Sequence, residues 1–278
     1  MIKSRFSVVN IILLFSLVIQ IIVQGQEGKI VQETINLPSL EGNLFGDSPN
    51  REVYIYLPPS YHLDSTKFYP VIYLLDGSKD EDFIHITGIV QFGSFPWINM
   101  VPESIVVGIG NVDRKRDFTY PSQLAIDNEE FPTSGGAAAF LQFIEQELTP
   151  LISNNYRVSG HRTLIGQSLG GLFATYALFE KPDLFSQYII VSPSLWWDEE
   201  RLLARKPTAP LSNKYIAVAG GKEGEVMERT TRALYDNLNS GNSGVTYHFL
   251  QDKSHGDALH MAVYQAFEAF SKHKQDGD

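Results

Sequence analysis

The sequence predicts an α/β fold in which a mostly parallel central sheet is flanked by helices on both faces. From about residue 52 onward, short runs rich in β-branched and aromatic residues alternate with longer segments of helical periodicity. Most of the short runs are apolar throughout, as expected for strands that are covered on both faces. No internal repeat and no low-complexity linker interrupts this alternation, so we predict a single domain.

The amino terminus is typical of an export signal. Lys3 and Arg5 precede a low-charge apolar run over residues 8–23, and a plausible cleavage point follows this run. An uncleaved membrane anchor is the alternative, but the run is shorter than the about 20 residues that span a bilayer. We therefore predict a signal peptide over residues 1–25, a mature domain over residues 26–278, and a secreted or periplasmic location.

Seven strands and three long helices are predicted in alternation. The strands are expected over residues 53–57, 70–75, 104–109, 162–165, 188–191, 215–219 and 245–250. The helices are marked by apolar stripes, first Phe140, Ile144, Leu148 and Leu151, then Met227, Thr230, Leu234 and Leu238, and finally Leu259, Val263, Ala266 and Phe270. Two irregular stretches, residues 111–134 and 196–213, are long enough to form the rim of a pocket.

The composition excludes several classes of function. With 22 Lys and Arg against 32 Asp and Glu, the formal net charge of −10 argues against a nucleic-acid partner and against an anionic membrane surface. The absence of cysteine excludes disulfides, thiolate metal sites, iron–sulfur clusters and cysteine nucleophiles. We expect no nucleic-acid binding, no stable membrane association after cleavage of the signal peptide, and no metal or organic cofactor.

A Gly-x-Ser-x-Gly motif between a predicted strand and a helical segment predicts a nucleophile elbow, which specifies the α/β-hydrolase fold. Small residues are needed two positions before and after the serine because the turn is too tight for side chains there, and Gly166 and Gly170 meet this need. The elbow would lift the hydroxyl of Ser168 above the edge of the sheet. The alternative is a glycine-rich turn with no catalytic role.

A serine nucleophile requires a base, which follows it in the chain order of this fold. Of the histidines after Ser168, His255 lies in a loop at the end of the last predicted strand, where such a base must lie. His248 falls within that strand and His260 on the last helix, and both remain alternatives. His273 lies in the polar tail.

The acid that orients the base is sought after the strand over residues 215–219. Glu223 is favoured because Gly220 and Gly221 allow a tight turn before it. Glu225 and Asp252 remain alternatives.

The oxyanion of a tetrahedral intermediate needs two backbone N–H donors. Leu169, directly after the nucleophile, is one candidate. The second comes from the turn after an early strand, where Asp76-Gly77-Ser78 stands, so Ser78 is our candidate and Gly77 its neighbour.

Together these segments resemble the "Putative esterase" family of α/β-hydrolases, the branch that includes esterase D and the enterobactin-type siderophore esterases. The resemblance extends over residues 51–271. It is carried by residues 69–77, by 108–111 with Arg114, Arg116 and Asp117, by 134–137, by the elbow, by 192–197 and by 254–256. It implies a triad of Ser168, Glu223 and His255, with an oxyanion contribution from Ser78. Gln167 departs from the histidine found in many relatives, and we expect this departure to touch the lining of the pocket and to leave the mechanism intact.

Two further sets of residues are candidates for substrate binding. Arg114 and Arg116 could clamp an anionic substrate, although an ion pair of Arg116 with Asp117 is the alternative. Trp196 and Trp197 could line an aromatic or sugar site, although burial of at least one indole is the alternative.

The sequence therefore predicts a serine carboxylic-ester hydrolase that acts on a small-molecule or carbohydrate ester. Within the family, the substrates include siderophore lactones, acetyl or feruloyl groups on polysaccharides, and thioesters. An acyltransferase that passes the acyl group to a sugar hydroxyl is one alternative. A binding protein without catalytic activity on the same scaffold is the other.

Overall fold

The computed structural model describes residues 28–36, 50–240 and 244–275. The predicted signal peptide, residues 1–25, lies outside these ranges. None of the helices within them combines the length and the apolar character needed to cross a membrane.

Eight strands form one sheet in the order β1-β2-β4-β3-β5-β6-β7-β8. They are β1 (Lys29–Asn36), β2 (Asn50–Leu57), β3 (Tyr69–Leu74), β4 (Ile105–Ile109), β5 (Val158–Gln167), β6 (Gln187–Val191), β7 (Tyr215–Gly221) and β8 (Val245–Leu250). The pairs β1–β2 and β2–β4 are antiparallel, and every other pair is parallel. The mostly parallel sheet of the predicted fold is confirmed, and its parallel strands end at a common edge.

Helices cover both faces of the sheet. They are α1 (Phe83–Gly93), α2 (Arg114–Phe118), α3 (Ala125–Glu130), α4 (Ala137–Phe143), α5 (Thr149–Asn155), α6 (Leu169–Glu180), α7 (Glu225–Asn239) and α8 (Ala258–Gln275). Short 3₁₀ segments occur at Pro59–His62, Pro182–Leu184 and Trp197–Ala204. Buried residues of α1 and α8 pack on one face, and those of α4, α5, α6 and α7 pack on the other. The fold is thus a three-layer sandwich around the sheet.

All seven predicted strands are present, and the structure adds β1, which the sequence pattern did not predict. Helix α1 was not predicted either. The stretch over residues 111–134 was predicted to be irregular, and the structure places α2 and α3 within it.

The helical segment between residues 137 and 155 differs from the prediction in its phase. A π-helical turn, Ile144–Leu148, separates α4 from α5. The wider turn rotates the helix so that Ile152, rather than the predicted Leu151, continues the fully buried stripe of Phe140 and Leu148.

A buried ion pair joins β2 to α2, next to the parallel strands. Arg51 and Asp117 are almost fully buried, and Arg51 Nη2 donates to Asp117 Oδ2 over 2.5 Å. Arg116 donates to the other carboxylate oxygen over 2.8 Å, and Arg51 Nη1 donates to the carbonyl of Gly110. Burial lowers the pKa of Arg51, and the adjacent carboxylate of Asp117 opposes this effect.

Replacement of Asp117 by asparagine is expected to lower the free energy of unfolding by about 3 kcal/mol, because it leaves the Arg51 guanidinium buried without its counter-charge. Urea unfolding followed by circular dichroism measures this loss. Glu200→Gln is the matched control, since Glu200 pairs with Arg229 at the exposed surface, where an ion pair contributes less than about 1 kcal/mol. Equal free energies of unfolding for the two variants would contradict the conclusion that the buried pair of Arg51 and Asp117 stabilises the fold.

Candidate active site

Ser168 lies on a sharp turn between β5 and α6, at the carboxyl edge of the sheet. Its backbone has φ 59° and ψ −122°, and its N–H donates to the carbonyl of Val191 over 3.1 Å. A Cβ on Gly166 would lie 2.3 Å from the carbonyl oxygen of Gly170, so no side chain fits there. The structure therefore gives this segment the geometry of a nucleophile elbow.

Glu223 follows β7 and is held by three hydrogen bonds. Its Oε1 accepts from the N–H of Gly221 over 2.8 Å and from the hydroxyl of Ser192 over 2.5 Å. Its Oε2 lies 2.5 Å from Nδ1 of His255. Burial raises the pKa of Glu223, but the hydrogen bonds from His255, Ser192 and Gly221 outweigh burial and hold the pKa below its usual value. The carboxylate is therefore charged at neutral pH.

His255 lies in the loop between β8 and α8, with 47% of its side chain exposed. Because Nδ1 faces the carboxylate of Glu223, Nε2 is left to act as a base. Among the hydrogen bonds of the described residues, Ser168 Oγ makes one with Ser194 Oγ, at 3.4 Å, and none with His255. Such catalytic hydrogen bonds are often long without substrate and tighten when it binds.

The alternative bases and acids lie elsewhere. His248 is half-buried in β8 beside Thr246, and burial lowers its pKa. His260 contacts His85 across the helices α1 and α8. Glu225 begins α7, and Asp252 is an exposed loop residue. The structure thus brings Glu223 to His255, rather than either of the other carboxylates.

The three predicted oxyanion donors, Leu169, Ser78 and Gly77, differ in whether their backbone N–H groups already have an acceptor. Leu169 is the first residue of α6, so its N–H belongs to the helix turn that has no intrahelical acceptors. The N–H of Ser78 lies 3.4 Å from Oε2 of Glu81, a long contact that an oxyanion can replace. The N–H of Gly77 donates to the carbonyl of Ile109 over 3.0 Å. Gly77 is therefore not available as an oxyanion donor, and that prediction is wrong.

Arg114 forms a bidentate ion pair with Asp76, in the turn that carries Ser78. Its Nε and Nη2 donate to the two carboxylate oxygens of Asp76, over 2.6 and 2.9 Å. Asn111 donates to the same carboxylate over 2.7 Å, and Arg114 Nη2 lies 3.5 Å from the carbonyl of Gln167. The guanidinium of Arg114 therefore connects the turn of Asp76 and Ser78 to the nucleophile elbow.

The predicted substrate contacts of Arg116 and Trp197 are wrong. Arg116 donates to the buried carboxylate of Asp117, so the structural alternative holds. Trp197 is fully buried, and its indole N–H donates to the carbonyl of Tyr120 over 2.9 Å. Trp196 is half-buried against Phe131 and stays a candidate for the rim of the site.

Three non-glycine residues with positive φ lie at this edge of the sheet. Asp76, Ser168 and Ser192 all have positive φ, at 51°, 59° and 43°, although none is glycine. They follow β3, β5 and β6, which are neighbours in the sheet. Non-glycine residues with positive φ are uncommon and cluster at functional sites, where the surrounding structure holds them in place.

Two residues outside the candidate triad, Ser192 and Gln167, contact Glu223 and the loop of His255. Ser192 donates to Glu223, as described above. The side-chain amide of Gln167 donates to the backbone carbonyl of His255 over 2.5 Å. Besides the expected place of Gln167 in the lining of the pocket, its amide connects the elbow to the loop of His255. The signal for Ser192 in the sequence is its place in the segment 192–197, which carries the family resemblance.

Replacement of Gln167 by glutamate is expected to lower kcat by about tenfold and to change KM little. The new side chain keeps the size but cannot donate to the backbone carbonyl of His255, so the loop that carries the imidazole loses one of its contacts. Steady-state kinetics with p-nitrophenyl acetate give the split between kcat and KM. Gln142→Glu, on the exposed surface of α4, is the control. An unchanged kcat in Gln167→Glu would remove this positioning role.

The fold and this site define the chain as an α/β-hydrolase with a serine at the nucleophile elbow. Its sequence matches the family described as "Putative esterase" over residues 48–273. The chain therefore belongs to that family, as the resemblance implied.

Individual relatives agree with this assignment. The ferri-bacillibactin esterase BesA of Bacillus subtilis is 36% identical over 170 residues, which are 56% of this chain and 58% of BesA. The alignment thus spans less than two thirds of that relative. An IroE-like serine hydrolase of Shewanella oneidensis has a similar solved structure, with a TM-score of 0.72 at 30% identity, covering 87% of this chain and 80% of that one. The BES protein of Bacillus cereus has a TM-score of 0.73 at 27% identity, covering 86% and 93% of the two chains.

Proposed function

We propose that this protein is an exported carboxylic-ester hydrolase that works through an acyl-enzyme intermediate. The observation that supports the proposal is the contact between Glu223 and His255, in loops at the same carboxyl edge of the sheet as the elbow that carries Ser168. Ser168 stands on the elbow, and the imidazole of His255 is held by Glu223 at 2.5 Å. Residues 1–25, with their basic start and apolar run, support export.

In acylation, Ser168 Oγ attacks the ester carbonyl while Nε2 of His255 accepts the hydroxyl proton. The negative charge of Glu223 stabilises the imidazolium that results. The N–H groups of Leu169 and Ser78 donate to the oxyanion of the tetrahedral intermediate. His255 then gives its proton to the departing alcohol oxygen, and the acyl group stays on Ser168.

Deacylation repeats these steps with water as the nucleophile. His255 takes a proton from the water, whose oxygen attacks the acyl carbon. The tetrahedral intermediate collapses, Ser168 Oγ recovers the proton, and the carboxylic acid leaves. This sequence needs no group beyond those of the chain and water.

We place the substrate among siderophore esters, the trilactones of catechol-bearing units. The support comes from the relatives, since BesA is named a ferri-bacillibactin esterase and a relative in Emericella nidulans is named a siderophore enterobactin esterase. The openness of the site agrees with a bulky substrate, because Ser168 is partly exposed and 47% of the His255 side chain is exposed.

A panel of esters tests both parts of the proposal, the esterase activity and the siderophore substrate. The purified protein, without residues 1–25, is given p-nitrophenyl acetate, methyl ferulate, acetylated xylan, and a catechol trilactone with and without Fe³⁺. We expect the highest kcat/KM on the trilactone, with the linear trimer as the first product in liquid chromatography and mass spectrometry. Hydrolysis of p-nitrophenyl acetate without hydrolysis of either trilactone would refute the siderophore assignment and retain the esterase. No hydrolysis of any ester would refute both.

A further inference from the structure

A second cluster of titratable side chains lies outside the triad, where the amino-terminal ends of α1 and α8 meet. Asp82 directly precedes α1, His85 lies in its first turn, and His260 lies in the first turn of α8. His260 Nε2 is 3.0 Å from His85 Nδ1 and 3.5 Å from Asp82 Oδ1, and His85 Nδ1 is 3.9 Å from the same oxygen. Three ligand-type atoms therefore surround one point.

The spacing of these atoms fits a metal ion. Bonds of about 2.0–2.1 Å in tetrahedral geometry hold neighbouring ligand atoms about 3.4 Å apart. The three observed separations, 3.0, 3.5 and 3.9 Å, bracket that value. Only small rotations of side chains on the surface are needed to equalise them, since His85 is 60% and His260 38% exposed.

The apolar packing between α1 and α8 fixes the backbone of the cluster, and one side of the cluster is open to solvent. Phe83 and Ile86 of α1 and Leu259 and Val263 of α8 belong to one buried apolar cluster, so the two helix ends cannot drift apart. The exposed fractions of the imidazoles leave room for water at the remaining coordination positions.

The types of the ligand atoms indicate which class of metal ion the cluster would bind. Two imidazole nitrogens and one carboxylate oxygen suit Zn²⁺, Co²⁺, Ni²⁺ or Cu²⁺, whereas Mg²⁺ and Ca²⁺ prefer sets made of oxygen. In the structure the two rings share a hydrogen bond, and a metal ion would replace the proton between them.

We propose that Asp82, His85 and His260 form a binding site for a divalent transition-metal ion, with Zn²⁺ as the representative. The ion would join two segments that lead to the triad region. Asp82 follows the turn of Ser78 by four residues, and His260 follows His255 by five. The site is separate from the triad and does not enter the hydrolytic steps.

Metal binding is tested on the chelator-treated protein, titrated with Co²⁺ and with Zn²⁺. We expect one equivalent of Co²⁺ to give the visible absorption of a low-symmetry site, Zn²⁺ to displace it, and saturating Zn²⁺ to raise the Tm. In the double variant H85A/H260A, and separately in Asp82→Asn, the affinity for Zn²⁺ should fall by at least tenfold. Circular dichroism checks that each variant folds.

Two control variants separate this site from other imidazoles. His161→Ala changes an exposed histidine on β5, and His255→Ala removes the imidazole of the triad. Both should bind one equivalent with unchanged affinity. Undiminished binding in H85A/H260A, loss of binding in His255→Ala, or no stoichiometric binding in the parent protein would each overturn the proposal.

Discussion

Replacement of Ser168 by alanine is expected to lower kcat for p-nitrophenyl acetate by at least about 10⁴-fold, because the attacking oxygen is lost while the oxyanion donors remain. The fold should survive, since alanine keeps the Cβ and the main Ser168 hydrogen bonds are made by its backbone. Initial rates at matched protein concentration measure the effect. Circular dichroism and the Tm check the fold.

A glycine at the same position separates catalysis from strain. With φ 59° and ψ −122°, Ser168 occupies a conformation that a Cβ disfavours. We therefore expect Ser168→Gly to be as inactive as Ser168→Ala and more stable by about 1 kcal/mol. Activity near that of the parent in either variant would contradict the role of Ser168 as nucleophile. Equal free energies of unfolding for Ser168→Gly and Ser168→Ala would contradict the conclusion that the backbone of Ser168 is strained.

Replacement of Glu223 by glutamine should lower kcat by about 10³- to 10⁴-fold, because a neutral amide neither fixes the tautomer of His255 nor stabilises its charged form. The side chain is only 3% exposed and accepts three hydrogen bonds. Glu223→Asp, which keeps the charge on a shorter chain, should recover part of the loss. Glu225→Gln, on the exposed first turn of α7, is the control. A kcat within tenfold of the parent in Glu223→Gln would mean that the carboxylate has no part in catalysis.

The effect of Glu223→Gln on the free energy of unfolding should depend on pH. The pKa of Glu223 is lower in the folded chain than its usual value. The charged carboxylate therefore stabilises the fold above its ordinary pKa of about 4.3, and this contribution is lost as the pH falls through the lowered, folded-state pKa. Urea unfolding should show the parent more stable than Glu223→Gln at pH 7, with the difference shrinking in strong acid. A difference that grows as the pH falls would contradict the assigned direction.

Local sequence patterns were sufficient for the parts of the site that depend on chain order. The elbow needs glycine at position 166 because a Cβ would meet the carbonyl of Gly170. The sequence motif therefore reports the geometry of the turn directly. The loops after β7 and β8 could be located because parallel strands end at one edge. Glu223 and His255 followed from those loops, and the structure places them 2.5 Å apart.

Contacts between distant segments could not be predicted in this way. Ser192 donates to a carboxylate 31 residues later, and Gln167 donates to a carbonyl 88 residues later. No local periodicity encodes such a pair. Trp197 was misassigned for the same reason, since an indole that fills the core and one that lines a pocket have the same local sequence. The pairing of Arg114 with Asp76 also required the fold, because 38 residues separate them.

The segments missed in the fold have a similar origin. Helix α1 is buried on only one stripe and includes Gly88 and Thr87, so its helical signal is weak. Among the described strands, β1 lies at the edge of the sheet and pairs with β2 alone, which makes its pattern less constrained than that of a central strand. The central strands, buried on both faces, were the most predictable.

The most direct test is covalent labelling with a fluorophosphonate, followed by peptide mapping in a mass spectrometer. We expect one adduct per chain, on the oxygen of Ser168, at a rate that falls at least about 10³-fold in His255→Ala. A single adduct on another residue, or labelling of Ser168 at the same rate without the imidazole, would show that these side chains do not act together.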